Sequence, residues 1–465
     1  MEDAPATARA SSRSDAAWIT ALALEVRLVV VIWAATRFPP TADGTYYQRI
    51  AERIAQGLGY TWLWPDGAVT YAAHYPVGYP AAVGALYRFA GPHPWVAMVL
   101  NALLGALAAY AAHRLAARAG SRGNALAAGL LVALHPGLVA YTPALMTEGV
   151  VAALLVIAAS LAAWTRDRAT SRWIGLVLLG LVLGAATLVR PQSLMLAPLF
   201  AALAVDGGLR RRLGAAVLAT LVTLAVCAPW TARNCVRMKR CALVSVNGGW
   251  NLLIGADAAS TGAWSPVQVP DACREVYDEA EKDRCFGRAA QGFIAAHPLA
   301  WASLAPKKLA ATFDYAGAAG WYLHASNARA FPERSRLALG VVETLFERLV
   351  LVLALAAMAR RPAGEEPPRR RGARHIVALV GVAFALTLHA WIGFAALVVV
   401  ALFRGRDFVR GPVLFSATAV TVAATIAIHA VFFGAGRYSL VVFPLVTALA
   451  ALAFAPPRRL DSPRL

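Results

Sequence analysis

A chain of 465 residues that is 59% hydrophobic and only 15% charged has more apolar surface than a water-soluble core absorbs, since soluble domains hold about 45–50% apolar and about 25% charged residues. Its net charge of +19 does not mark a nucleic-acid binder, because the arginines sit in short clusters between apolar runs, without interleaved aromatics or a continuous basic face. What remains is an all-α polytopic membrane protein whose basic clusters mark cytoplasmic turns.

Residues 1–17 are polar and rich in Ala and Ser, and read as a disordered cytoplasmic tail. The apolar run from Trp18 to Ala35 is too long for a signal-peptide core and lacks a small-residue cleavage site, so it reads as a retained first helix. Residues 18–455 are then expected to form a single transmembrane domain, and residues 456–465 a second cytoplasmic tail.

A crossing helix needs about 20 apolar residues, within a range of roughly 17–25. Basic clusters fall at Arg114/Arg118/Arg122, Arg166/Arg168/Arg172, Arg210/Arg211/Arg212, Arg360 to Arg374, Arg404/Arg406/Arg410 and Arg458/Arg459/Arg464, with Arg9 and Arg13 at the start. Each apolar stretch between neighbouring clusters must hold an even number of crossings. Residues 124–165 break at Thr142-Pro143, 173–206 at Arg190-Pro191-Gln192, 375–403 near His389-Ala390-Trp391, and 411–455 at residues 433–437. These breaks predict about twelve helices with both termini cytoplasmic.

Two long segments remain for the outer side, 38–93 and 231–334, and they hold most of the acids, aromatics and Gly/Pro punctuation. Short interfacial helices are expected in them, one being the amphipathic stretch from Ile50 to Leu58. The second segment contains Cys235, Cys241, Cys273 and Cys285. An even set on an oxidising side predicts two disulfides; of the three pairings, Cys235–Cys241 with Cys273–Cys285 is favoured because each closes a short loop. Cys227 lies within a helix and reads as a small buried apolar residue.

The chemistry is expected at the outer helix ends. Asp43 follows the first helix at the membrane boundary, where a carboxylate is costly unless paired or used. It is followed by Tyr46 and Tyr47, then by His74-Tyr75-Pro76, and Tyr and Trp at this density also suit an interface belt. Glu148 opens the helix after Thr142-Pro143, where an acid also favours the helix dipole. Arg190, Arg233, Lys307, Lys308 and Arg437 lie near outer helix ends, and arginine binds phosphate through a planar fork. No metal-ligand spacing and no nucleotide-binding glycine loop is present, which argues against an ATP-driven pump and leaves any cofactor undefined.

The order of these stretches resembles the GT-C class of membrane glycosyltransferases that use polyprenyl-phosphate sugars. It is most similar to bacterial relatives of protein O-mannosyltransferases and lipid A aminoarabinose transferases. The resemblance rests on Asp43-x-x-Tyr46-Tyr47 with the residues from Gly57 to Pro80; on Met146-Thr147-Glu148; on Leu188 to Gln192; on Pro229 to Asn234 with Asn247 to Gly255; and on Gly436-Arg437-Tyr438. It implies an inverting transferase of the bacterial inner membrane, moving a sugar from a polyprenyl-phosphate carrier to a lipid, glycan or protein acceptor on the outer, periplasmic face. Asp43 would be the catalytic carboxylate and Glu148 its companion. Arg190, Arg233, Arg437, Lys307 and Lys308 would hold phosphate, while Tyr46, Tyr47, His74, Asn247, Asn251 and Tyr438 would line the substrate. Some members of the class use a divalent metal and others do not. The protein mannosyltransferases carry an Asp-Glu pair where this chain has Asp43-Gly44. The alternative reading is a lipid or polysaccharide transporter, which should show inverted repeats and polar breaks at mid-membrane.

Overall fold

The computed structural model describes residues 6–168, 172–257, 260–360 and 368–454, with side chains from Ser14 onward and from Arg369 in the last stretch. In chain order the helices are α1 (Ala6–Ala34), α2 (Asp43–Ala55), α3 (Gly78–Ala90), α4 (Pro94–Ala116), α5 (Arg122–Ala133), α6 (Pro136–Ala140) and α7 (Glu148–Arg166). Then come α8 (Arg172–Val189), α9 (Leu196–Leu203), α10 (Leu209–Arg237), α11 (Gly248–Ala256), α12 (Glu279–Ala296), α13 (Pro298–Ser303), α14 (Ala305–Phe313) and α15 (Ala318–Ser326). The last are α16 (Glu333–Ala359), α17 (Pro368–Ala385), α18 (Ala390–Leu402), α19 (Asp407–Arg410), α20 (Val413–Val431) and α21 (Phe443–Ala450).

Seven helices among the described residues are long and apolar enough to cross a membrane, including α4, α7, α8, α10 and α20. The predicted breaks at 190–192 and 433–437 separate helices, and the one expected near His389-Ala390-Trp391 falls at 386–389, with Ala390 opening α18. Two expectations need correction. The first helix starts at Ala6, so it takes in most of the stretch read as a tail. The chain is also not wholly α: β1 (Thr61–Leu63) pairs antiparallel with β2 (Val69–Tyr71) across Pro65-Asp66-Gly67, where Asp66 Oδ1 accepts the Ala68 N–H at 3.0 Å. The tail predicted for 456–465 lies outside the described residues.

Small residues set the packing, as expected where lipid removes the hydrophobic gain between helices. In α8, Gly180 and Gly184 form a small-x-x-x-small pair; a Cβ at either would come within 2.6 Å of the Val222 or Val226 Cβ on α10. Large apolar side chains face outward instead, among them Ile32, Trp173, Leu221 and Leu379, and this outward apolar surface is that of an integral membrane protein. Arg27, 2% exposed in α1, donates to the carbonyls of Ala133 at 2.8 Å and Val132 at 3.2 Å, and so closes the C-terminus of α5.

The arginine-bearing turns are bonded to one another. Arg122 pairs with Asp15 at 2.6 Å and Arg118 with Asp167 at 2.7 Å. Arg166 pairs with Asp206 and donates to the carbonyls of Arg410 and Gly411, while Arg212 reaches Val409 O. These turns therefore gather at one end of the bundle. Glu148 and Arg190 lie at the opposite ends of α7 and α8, and Asp43 and Arg437 lie beside them.

Candidate active site

Each polar residue of the site stands where an apolar helix stops. Asp43 is the first residue of α2, directly after Ala42, whose φ of 51° is left-handed. A non-glycine residue in that region stores strain of about 1–3 kcal/mol, and the turn aims the Asp43 carboxylate back toward the bundle. Glu148 opens α7, Arg190 ends α8, and Arg437 lies in the 3-10 turn Gly436–Val441 between α20 and α21.

These four side chains form one continuous group. Arg437 Nη2 donates to Asp43 Oδ2 at 2.8 Å, and Arg437 Nε lies 3.3 Å from Glu148 Oε1. The same Glu148 oxygen accepts from Arg190 Nη1 at 2.7 Å, while Glu148 Oε2 accepts from the Tyr141 hydroxyl at 3.2 Å. Arg190 also reaches Thr147 Oγ1 at 3.3 Å and lies 4.7 Å above the Tyr438 ring. Glu148 is 2% exposed, so its charge is tolerable only because two guanidiniums share it.

Aromatic rings wall the Asp43 side. Tyr75 donates its hydroxyl to Asp43 Oδ1 at 2.9 Å. Burial, reinforced by the Asp43 charge, pushes the Tyr75 phenol above its ordinary value, so it remains a donor. Tyr75 packs on Tyr46 and Tyr47, Tyr46 stacks on Trp62 at 4.5 Å, and His74 meets Trp250 edge-on at 5.4 Å. Burial lowers the His74 pKa and keeps the ring neutral.

On the Arg190 side a narrow pocket opens between α7, α9 and α20. Arg190, Ser193, His429 and Tyr438 stand in its wall with Leu155, Leu196 and Ile428. Its composition is a cation next to an apolar slot, which suits an anion carrying a hydrocarbon tail.

Of the residues expected from sequence, Asp43, Glu148, Arg190, Arg437, Tyr438, Tyr46, Tyr47 and His74 are brought to the group or to its aromatic wall. The others are not. Arg233 donates to the carbonyls of Ala72 at 2.9 Å and Tyr60 at 2.8 Å, holding the β-hairpin. Lys308 is buried and donates to Val431 O at 2.9 Å, capping the end of α20; burial lowers its pKa to about 8. Lys307 is exposed on α14. Asn247 accepts from Ser245 Oγ at 2.9 Å, and from this stretch it is Trp250, rather than Asn247 or Asn251, that reaches His74. Sequence reasoning missed Tyr75, Tyr141, Thr147 and His429 as site residues. Tyr141 and Thr147 flank the recognised break before Glu148, a signal that was present.

The residues do not make a divalent-metal site. Among the described residues no three His, Cys, Asp or Glu side chains converge, and the cation between the two carboxylates is Arg437. Gly44 is explained as well: a Cβ there would lie 2.9 Å from the Tyr322 hydroxyl and 3.0 Å from Leu145 O, so the second acid of an Asp-Glu pair has no room. The second long segment carries both favoured disulfides, Cys235–Cys241 and Cys273–Cys285, and Cys227 is free and buried.

An α-helical membrane scaffold with its polar group at one end of the helices is thus defined before any comparison. The family model of dolichyl-phosphate-mannose-protein mannosyltransferases matches residues 74–232. The Archaeoglobus fulgidus oligosaccharyltransferase in its apo form superposes with a TM-score of 0.50 at 13% identity, over 95% of this chain and 50% of that one. The oligosaccharyltransferase AglB of the same organism, in complex with an inhibitory peptide and a dolichol-phosphate, gives 0.47 at 14% identity, over 95% and 50%. ArnT from Cupriavidus metallidurans bound to undecaprenyl phosphate gives 0.42 at 16% identity, over 92% and 77%. The chain spans about half the length of the oligosaccharyltransferase it matches. No curated protein sequence matches it. The family match falls within the stretches on which the sequence resemblance rests, and the likeness to the apo oligosaccharyltransferase is one of fold.

Proposed function

We propose that this protein is an inverting glycosyltransferase that moves a sugar from a polyprenyl-phosphate carrier to an acceptor hydroxyl. The observation that carries the reading is the group of four: one carboxylate, Asp43, faces an aromatic wall, and Arg437 links it through Glu148 to Arg190, which stands in the wall of an apolar slot. The transporter alternative has no support in the comparisons.

The chemistry follows from the geometry. The donor is a phosphodiester with one negative charge. Its phosphate lies on Arg437 and Arg190, and its hydrocarbon tail lies along the slot lined by Leu155, Leu196 and Ile428. The acceptor hydroxyl lies against Asp43. As the acceptor oxygen bonds to the anomeric carbon, the bond from that carbon to the phosphate oxygen breaks on the opposite face. The acceptor proton passes to the Asp43 carboxylate, and the departing phosphate takes the electron pair and becomes a dianion on the arginines. One displacement with one carboxylate inverts the anomeric centre and needs no second carboxylate as nucleophile. Tyr141 and Glu148 position the two guanidiniums.

We read residues 18–455 as one catalytic unit with about twelve crossings. On this reading the end with the joined arginine turns lies in the cytoplasm, with both termini; the basic character of those turns supports it, as do two disulfides that suit an oxidising periplasmic side. The membrane is then the bacterial inner membrane. The test is transfer from a radiolabelled polyprenyl-phosphate sugar pool, in membranes containing wild type or Asp43→Asn. Label reaching a new product only with wild type supports the reading, and identical behaviour of both across several donor sugars ends it.

A further inference from the structure

The two ends of the charged group differ in exposure. Glu148 is 2% exposed on its side chain and Arg190 13%, whereas Arg437 is 19% and Asp43 27% exposed. An arriving ligand therefore meets the Asp43–Arg437 pair first. Both oxygens of Asp43 are already engaged, Oδ1 by the Tyr75 hydroxyl at 2.9 Å and Oδ2 by Arg437 Nη2 at 2.8 Å. Arg437 is also paired by charge along its other edge, where Nε lies 3.3 Å from Glu148 Oε1 without a hydrogen bond, and the guanidinium lies 5.3 Å from the Tyr438 ring centre. Its Nη edge can therefore change partner while the side chain stays in place.

Phosphate and carboxylate present similar oxygens to a guanidinium fork, so they compete for one edge. A partly exposed ion pair is weak and easily exchanged, whereas a buried one is not. We infer that the Asp43–Arg437 contact is a resting lock that the donor phosphate displaces, so that occupation of the donor site is what frees an Asp43 oxygen for the acceptor hydroxyl. The inference rests on the donor-phosphate reading above and adds a rule of order: the carrier binds first, and the acceptor is engaged afterwards. Arg437 then has two partners in turn, Asp43 at rest and phosphate in the loaded state, with Glu148 constant through both.

The distinguishing consequence is that removing the catalytic carboxylate strengthens carrier binding. In purified full-length protein, a short-chain polyprenyl phosphate should bind Asp43→Asn about two- to fivefold more tightly than wild type, the scale set by a competing, partly exposed pair. Asp43→Ser, which is smaller and uncharged, should show the same gain if the Asn variant folds poorly. Arg437→Ala should bind more weakly, and the double variant Asp43→Asn/Arg437→Ala should be as weak as Arg437→Ala. Inorganic phosphate, titrated in parallel, should show the same fold gain at lower overall affinity. Equal or weaker carrier binding by both Asp43 variants overturns the lock and leaves the transferase reading intact if transfer still depends on Asp43. A gain that survives without Arg437 also overturns it, as does a gain for inorganic phosphate alone, because the site would then serve a free anion. Failure of every form, wild type included, to bind polyprenyl phosphate removes the donor reading and the lock together.

Discussion

Arg437 Nη2 lies 2.8 Å from Asp43 Oδ2, although 394 positions of sequence separate the two residues. The contact joins the start of α2 to the turn between α20 and α21. The carboxylate and the cation that the proposed reaction needs are thus placed by opposite ends of the chain.

Asp43→Asn should abolish transfer, because the amide cannot take the acceptor proton. Loss of a positioned base costs typically 10²–10⁴-fold. Turnover measured with labelled donor should fall by about that factor, and a rate within tenfold of wild type would remove Asp43 from the role of base.

Glu148→Ala should destabilise the fold as well as the reaction. It removes the carboxylate shared by Arg190 at 2.7 Å and Arg437 at 3.3 Å from a position only 2% exposed. Breaking a buried pair by deleting one partner costs about 3–5 kcal/mol. Glu148→Gln keeps an acceptor oxygen and should lose less. The denaturation midpoints in detergent should fall in the order wild type, Gln, Ala, and coincident midpoints would count against the burial argument.

Stability should carry a pH signature from Glu279. This residue opens α12 and accepts the Ala73 N–H at 2.7 Å, tying the second long segment to the first. Burial raises its pKa from the usual 4.5 to about 7. Between those values the folded chain binds more protons than the unfolded one, so this contribution is fully present below pH 4.5 and is lost as the pH rises through about 7. A melting series across that range should slope downward with rising pH in wild type and be flatter in Glu279→Gln. Parallel slopes would mean the carboxyl is not burdened by folding.

Denaturing alkylation without reductant should modify Cys227 alone, because the other four cysteines are bridged. With reductant all five should react. Closing loops of 6 and 12 residues should stabilise the second segment by roughly 2–3 kcal/mol each in the chain-entropy account, so a Cys235→Ser/Cys241→Ser variant should melt earlier.

Gly434→Ala should impair transfer from a position that touches no substrate. Gly434 N–H donates to Gly262 O at 2.8 Å, and a Cβ would lie 2.0 Å from Lys308 O and 2.7 Å from Thr312 Oγ1. The backbone three residues before Arg437 must then move, at a cost of about 1–3 kcal/mol. Gly292→Ala, where the added methyl group meets open space, is the matched control and should leave turnover unchanged.

The four charged residues were legible in the sequence because each stands beside a break in an apolar run, where an uncompensated charge is costly. Their spacing in the chain says nothing of their mutual distances. Arg233 and Lys308 are cations near outer helix ends, but both bond to backbone carbonyls, at the hairpin and at the end of α20, and such acceptors leave no mark on a sequence. The hairpin has a turn signal in Pro65-Asp66-Gly67 between short β-prone runs, although its Trp and Tyr residues also suit a membrane interface. His429 stacks at 4.5 Å on Tyr438, but its place in an apolar helical run is that of an ordinary core histidine.

Asp43, Glu148, Arg190 and Arg437 carry two negative and two positive formal charges, so the group as a whole is electroneutral. That balance makes it a cooperative unit under substitution. Removing one member leaves a surplus charge in an apolar setting, while removing an acid together with its arginine leaves none. Double-mutant cycles between Asp43 and Arg437, or between Glu148 and Arg190, should therefore show the paired deletion costing less stability than the sum of its singles. A homologous site could exchange its charges two at a time more readily than one.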